Sequence, residues 1–251
     1  MKFIKLWIVL VLVLVLGLTL TQVSRAEPNV QALLAASDRA RAGGLPGLVW
    51  DVRVTNTGSS VIDNEPSALR LKAADNASLA EYLEPLRSKG SRILQVGRNM
   101  WFTKPGLRKP VAISPRQRLT GQASIGDIAA TNYAHDYKAK YLREESFNGE
   151  PCYVLDLTSA RDNTTYDRIT YWISVKLQVG IHAEFLSVSG KRLKQADFVY
   201  DNKINVNGTA IPFISNMTIA DALTDAKTVL EFSKIKVEAV PRSEFDISNL
   251  Q

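Results

Sequence analysis

Leu48-Val-Trp-Asp-Val-Arg-Val-Thr55 decides the fold, because Trp50, Val52 and Val54 alternate there with Asp51, Arg53 and Thr55. A period of two puts the first set on one face of a strand and the second set on the other, so this strand is half buried and half wet. The habit recurs outward along the chain, at 68–73, 93–96, 153–157, 169–175, 181–188, 194–200, 211–219 and 228–237. Asn56-Thr57-Gly58, Gly149-Glu150-Pro151, Ser189-Gly190-Lys191, Asp201-Asn202-Lys203 and Asn207-Gly208 separate these runs with residues that tolerate tight turns or positive φ. Spacers this short join antiparallel neighbours, since a parallel crossover needs a dozen or more residues, usually a helix. One strongly curved antiparallel sheet is expected.

Two segments depart from the period. Asn29 to Ala42 carries Val30, Leu33, Leu34 and Ala40 at helical spacing, with Asn29 placed to cap it and Gly43-Gly44 and Pro46 placed to end it. Pro105 to Tyr141 is broken by Pro110, Pro115, Gly121 and Gly126, and 124–132 within it has room for a helical turn or two. A curved sheet in a chain with so little helix has few covers for its hollow face, which makes Pro105 to Tyr141 the candidate lid.

Composition narrows the function. With 45% hydrophobic and 22% charged residues in 251, the chain is neither disordered nor fibrous. A single cysteine, Cys152, excludes an internal disulfide framework and a zinc site of several thiolates. In Pro151-Cys-Tyr-Val-Leu155 it reads as a small buried hydrophobe. Met1 to Lys5 carries two lysines, Leu6 to Leu20 is an apolar run, and Ser24-Arg25-Ala26 ends in small residues: a secretory signal cleaved after Ala26. Fifteen apolar residues reach roughly 22 Å, short of the roughly 30 Å hydrocarbon core. Cleavage removes three bases and no acid, so the net charge of +6 falls to +3. With no run of bases interleaved with aromatics, nucleic-acid binding drops out. The expected organisation is a signal peptide at 1–26 and a single carrier domain at 27–251.

Catalytic patterns are missing: there is no Gly-x-Ser-x-Gly, Gly-x-Gly-x-x-Gly, phosphate-binding Gly-Lys-Ser/Thr or His-Glu-x-x-His. The two histidines are expected to be bland, His135 beside Asp136 in a solvated loop and His182 with Glu184 in an outward polar row. Glu144 and Glu145 are adjacent on a strand, so they face opposite ways and read as a solvated pair rather than an acid and a base. No catalytic residue, metal or cofactor is expected.

The apolar rows carry more. Trp50, Val52 and Val54, then Leu69 and Leu71, then Ile211, Phe213, Met217 and Ile219, then Leu230 and Phe232 would share one side of the sheet. Such rows ordinarily fill a core, but a half-closed sheet with two short helical pieces is short of side chains to fill its hollow, and an apolar pocket results.

Arg98-Asn-Met-Trp-Phe-Thr-Lys-Pro105 followed by Ile113-Ser-Pro-Arg-Gln-Arg118 resembles the LolA-like outer-membrane lipoprotein-sorting family. The resemblance continues at Tyr166-Asp-Arg-Ile-Thr-Tyr-Trp-Ile173, at Ala183 to Lys194 and at Pro241 to Leu250, in the family's order. It implies an α+β, mainly antiparallel fold: an incomplete, half-open β-barrel with an N-terminal helix and a short helical lid. It also implies a non-enzymatic carrier of lipoprotein or lipid acyl chains through the periplasm, between inner and outer membrane. An inner-membrane lipid exporter and an outer-membrane acceptor are the implied partners. The expected cavity wall is Trp50, Leu69, Leu71, Trp101, Ile128, Phe213, Met217, Leu230 and Phe232, with Arg116 and Arg118 at the rim of a lid moving over 115–132. A non-catalytic scaffold module with a filled barrel and an envelope lipid or glycan enzyme are the alternatives.

Overall fold

The computed structural model describes residues 27–59 and 64–250. The leader expected at 1–26 lies outside them. Helix α1, Val30–Arg39, opens the described chain, and the Asn29 side chain accepts from the Ala32 amide at 3.0 Å, as its capping role requires. The chain then enters a sheet of thirteen strands in the order β6-β5-β4-β3-β2-β1-β17-β16-β13-β12-β11-β10-β9. Its members are β1 Leu48–Thr57, β2 Ser67–Ala74, β3 Ala77–Glu84, β4 Arg92–Val96, β5 Asn99–Thr103, β6 Val111–Ile113, β9 Tyr137–Phe147, β10 Glu150–Ser159, β11 Arg168–Ser174, β12 Gly180–Leu186, β13 Arg192–Val199, β16 Asn216–Asp221 and β17 Lys227–Val237. Neighbouring strands pair antiparallel, and the sheet stays open with β6 and β9 at its edges.

Strand β1 sits mid-sheet, between β2 and β17. Its Trp50, Val52 and Val54 are buried, while Asp51 on the opposite face accepts from Arg70 at 2.8 Å and pairs with Lys234 at 3.1 Å. The same concave face collects Leu69 and Leu71 of β2, Leu155 and Leu157 of β10, Tyr171 of β11, Phe185 of β12, Phe198 of β13, Met217 of β16 and Leu230 of β17 in one continuous core. A smaller cluster lies on the convex side. There two 3₁₀ turns, Arg242–Phe245 and Ile247–Leu250, press Phe245 and Leu250 against Leu79 and Leu94.

Three sequence expectations need correction. The run at 211–219 is two strands, because β15, Thr209–Phe213, leaves the main sheet to pair with β14, Asn202–Val206, before β16 returns to it. Pro212 has no N–H for a ladder, and two residues on, the Ile214 amide donates to the Ala40 carbonyl at the α1 end at 3.0 Å. The segment expected as lid stops at Asp136, since Tyr137 begins β9. That edge strand carries Lys138, Lys140, Arg143, Glu144 and Glu145, charges that protect an unpaired edge and blur its alternation. Trp101 points away from the hollow: it lies opposite Leu94 in the β4–β5 ladder and packs on the convex cluster.

Candidate functional site

The lid is residues 115–136, built from a small ribbon of β7, Arg118–Thr120, and β8, Ala123–Ser124, and two single-turn helices, α2, Ile125–Ile128, and α3, Tyr133–Asp136. Its apolar side chains Ile125, Ile128 and Tyr133 join the concave core. Eight of the nine residues expected in the wall converge there: Trp50, Leu69, Leu71, Ile128, Phe213, Met217, Leu230 and Phe232. Trp50 meets Phe213 edge to face at 6.4 Å. The apolar pocket expected from the rows is corrected: the hollow is filled in this closed arrangement, because the lid's Ile125, Ile128 and Tyr133 occupy it. The space left among Arg41, Trp50, Ile128, Phe213 and Phe232 is about 10 Å³, room for one water at most.

What holds the lid down is polar, and it acts at the lid's ends. At the ribbon, Thr228 Oγ1 donates to Asn56 Oδ1 and accepts from the Gln122 amide, both at 2.7 Å, while Asn56 Nδ2 donates to Thr120 Oγ1 at 2.8 Å. Gly121 sits in the middle with φ +49°, and a Cβ there would come within 2.0 Å of Asn56 Oδ1. Beneath α2, buried Asp127 accepts from the Ser124 amide at 2.8 Å, from the Tyr166 hydroxyl at 2.7 Å and from Lys194 at 3.3 Å. Burial, with the Asp127 charge behind it, pushes the Tyr166 phenol well above its ordinary pKa, so it stays a donor.

At the other end, Asp38 on the last turn of α1 accepts from the Tyr133 and Ala134 amides at 2.9 and 2.8 Å, capping α3 from outside. Burial raises the Asp38 pKa to about 6, against the opposing pull of those two amides and of Arg41. The Thr131 amide donates to the Arg41 carbonyl at 3.2 Å, and Gly43 packs so tightly on Thr131 that a Cβ would lie 1.9 Å from its carbonyl oxygen. Asp136 is buried and paired with Arg98 and with His135, whose Nδ1 is 2.9 Å away. The expectation of a solvated His135–Asp136 pair is therefore corrected, because Asp136 anchors the end of the lid.

His182 does face outward, yet it is covered, 2.6 Å from Asp197 and stacked on Phe147 at 4.3 Å. Glu145 is likewise bonded, to Arg143 and to the Trp172 indole. Cys152 is buried, and that burial pushes its thiol pKa up. Among the described residues no three His, Cys, Asp or Glu side chains are grouped to hold a metal ion.

Openings flank the lid. A cleft of about 140 Å³ lies where 130–132 meet the turns at 75–78 and 97–98. A basic hollow of about 350 Å³ at the ribbon is lined by Arg116, Arg118, Lys191, Arg192 and Lys194, with Asp221. Both rim arginines are thus at the lid margin, but Arg116 is tied to Asp167 at 2.7 Å and to the Thr164 carbonyl at 2.9 Å, whereas Arg118 is exposed. Asp38 and Arg41 are not among the residues expected at the site. Asp38 lies four residues after Leu34 on the buried stripe of the helix, and that spacing is the signal for it; Arg41 lies past the helix end, in the turn.

Comparison with known proteins agrees with this architecture. A family profile described as "uncharacterized protein" matches residues 74–251. The crystal structure of a LolA superfamily protein from Nitrosomonas europaea is similar, with 30% identity and a TM-score of 0.77, covering 88% of this chain and 98% of that one. A putative outer membrane lipoprotein-sorting protein domain from Vibrio parahaemolyticus shares the fold at 16% identity and TM-score 0.74, over 88% of this chain and 97% of its own. A DUF1329 family protein from Desulfovibrio piger shares it at 17% identity and TM-score 0.74, again over 88% and 97%. No curated protein matches. The protein is of the open-sheet, lidded class, and the chain belongs to the LolA superfamily.

Proposed function

We propose that the protein is a periplasmic carrier that takes the acyl chains of a lipoprotein or other lipid onto the concave face of its sheet and moves them between the inner and outer membranes. Residues 1–26 act as the cleaved export signal and 27–251 as the single carrier domain. An inner-membrane lipid exporter and an outer-membrane acceptor are its partners in this account, and the protein performs no chemistry. One observation carries the reading: eight apolar wall residues from the sheet, the β14–β15 hairpin and the lid converge under a cover whose ends are held by hydrogen bonds. The lipoprotein-sorting description belongs to the Vibrio parahaemolyticus relative, whose fold this chain shares, and it supports the same reading.

The energetics are consistent with a displaceable lid. A sixteen-carbon chain gains on the order of 12 kcal/mol by leaving water, before ordering costs. The closed hollow has no vacant volume for it, so the guest must take the place of lid side chains such as Ile125, Ile128 and Tyr133. Lid hydrogen bonds, each worth about 1 kcal/mol net, are of a size that a guest of this kind can offset. Lipid extraction and mass spectrometry of protein purified from the cell envelope tests the proposal. Co-purified acyl lipid is expected; repeated absence of lipid, together with failure to bind a fluorescent fatty acid, would defeat it.

A further inference from the structure

Arg41 is anomalous in an apolar interior. Its side chain is 6% exposed, and its guanidinium lies over the rings of Phe198 at 4.7 Å and Tyr133 at 5.6 Å. No carboxylate bonds to it: Asp38, on the last turn of the helix that precedes it, attracts it through space but spends both oxygens on the Tyr133 and Ala134 amides, and the polar groups beside the guanidinium are the Tyr133 and Tyr171 hydroxyls. Stacking on two rings stabilises the charge but leaves Nη1 without an acceptor. Trp50, whose indole Nε1–H is buried and also without an acceptor, lines the same small cavity. Only four buried side-chain atoms lack a partner among the described residues, and two of them belong to residues of this one cavity.

A buried guanidinium nitrogen without an acceptor and a buried indole N–H without one are each expensive, and both are relieved by oxygen acceptors carrying negative charge. The surrounding wall has Ile128, Phe213 and Phe232, suited to an alkyl chain, and also Asp127, whose carboxylate is already taken up by the Ser124 amide, the Tyr166 hydroxyl and Lys194. We infer that Arg41 and Trp50 form a carboxylate-binding site at the inner end of the hollow, which selects guests whose alkyl chain ends in an anionic carboxylate, as in a fatty acid. This inference rests on the carrier reading and specifies its substrate class. When the lid lifts and the chain lies along the sheet, one carboxylate oxygen accepts from the Arg41 guanidinium and the other from the Trp50 indole. The basic hollow at Arg118 lies outside the lid and plays no part in this selection.

The test compares three probes of one chain length, dodecanoate, its methyl ester and dodecyltrimethylammonium, titrated by calorimetry into protein obtained by expressing the full chain. Dodecanoate is expected to bind about 10- to 100-fold tighter than either of the others, the range of a charge-assisted hydrogen bond. Arg41→Gln should abolish that preference, bringing dodecanoate within about twofold of the methyl ester, and Arg41→Lys, which keeps the charge, should retain part of it. Equal binding of the three probes by the unaltered protein overturns the inference and leaves the carrier reading standing. A preference undiminished in a folded Arg41→Gln protein overturns it too. Should Arg41→Gln not fold, Trp50→Phe takes its place, and it is expected to narrow the preference for dodecanoate over dodecyltrimethylammonium about tenfold; an undiminished preference counts against the site. Failure of all three probes to bind removes the carrier reading and this inference together.

Discussion

The sheet and its lid are held by different forces. The concave face gathers its buried side chains from strands throughout the sheet, and its main contacts are aliphatic and aromatic. The lid contributes few apolar side chains and is secured at its ends by carboxylates, hydroxyls and amides: Thr228 with Asn56, Asp127 with Tyr166 and Lys194, Asp38 with α3, and Asp136 with Arg98. Hydrophobic burial is non-directional and survives an exchange of one apolar partner for another, whereas hydrogen bonds are local and can be released one by one. A molecule so divided can keep its frame while changing what covers it.

Breaking the frame should have the largest effect. Leu230→Asp puts a carboxylate into the fully buried concave face and is expected to lower stability by more than about 4 kcal/mol, seen as loss of the cooperative thermal transition. The latch at Asp38 has a pH signature. Because its carboxyl is raised from 3.8 to about 6 on folding, the stability it confers is present below pH 4 and is lost as pH rises to 6. The groups facing it are Arg41, which opposes the rise, and Asp136, which adds to it. The stability difference between the native protein and Asp38→Asn should therefore shift by on the order of 3 kcal/mol against the native protein between pH 4 and 6, and stay flat above. Urea unfolding across that range checks it.

Trp101→Ala sharpens the contrast from the convex side. It should cost about 2 kcal/mol of stability and leave fatty-acid uptake unchanged, because Trp101 packs with Leu94, Phe245 and Leu250 away from the hollow. Gly121→Ala places a Cβ on Asn56 and Thr228 at a positive φ, so amide exchange should rise across 115–136 with little change in β10 and β11, for a loss of about 1–2 kcal/mol. The smallest effect belongs to Arg118→Ala, expected within about 0.5 kcal/mol in thermal melts, since the side chain is exposed.

Legibility in the sequence followed the same division. The alternation of Trp50, Val52 and Val54, the capped helix from Asn29 and the turns at 189–191 and 207–208 hold in the structure, whereas Asn56-Thr57, Glu150-Pro151 and Asn202-Lys203, read as turn residues, lie within β1, β10 and β14. Strands β3 and β9 escaped notice, the first because Ala77-Ser78-Leu79-Ala80 is buried throughout and the second because an edge strand is charged on both faces. The lid was visible only as broken periodicity; its anchoring by Asp38, Asp127 and Asp136 depends on contacts distant in sequence. Trp101 was misassigned because family motif and aromaticity do not state which face a strand residue takes, while its pairing with Leu94 does.

Four tryptophans, Trp7, Trp50, Trp101 and Trp172, permit a direct test of the hollow as the place of binding. Single-tryptophan versions made by Trp→Phe changes are titrated with a brominated fatty acid, which quenches only indoles it touches. The account requires strong quenching in the version that keeps Trp50 and none in those that keep Trp101 or Trp172, both on the convex side. Undiminished Trp50 emission in a protein that still binds the fatty acid would place the guest elsewhere and contradict it.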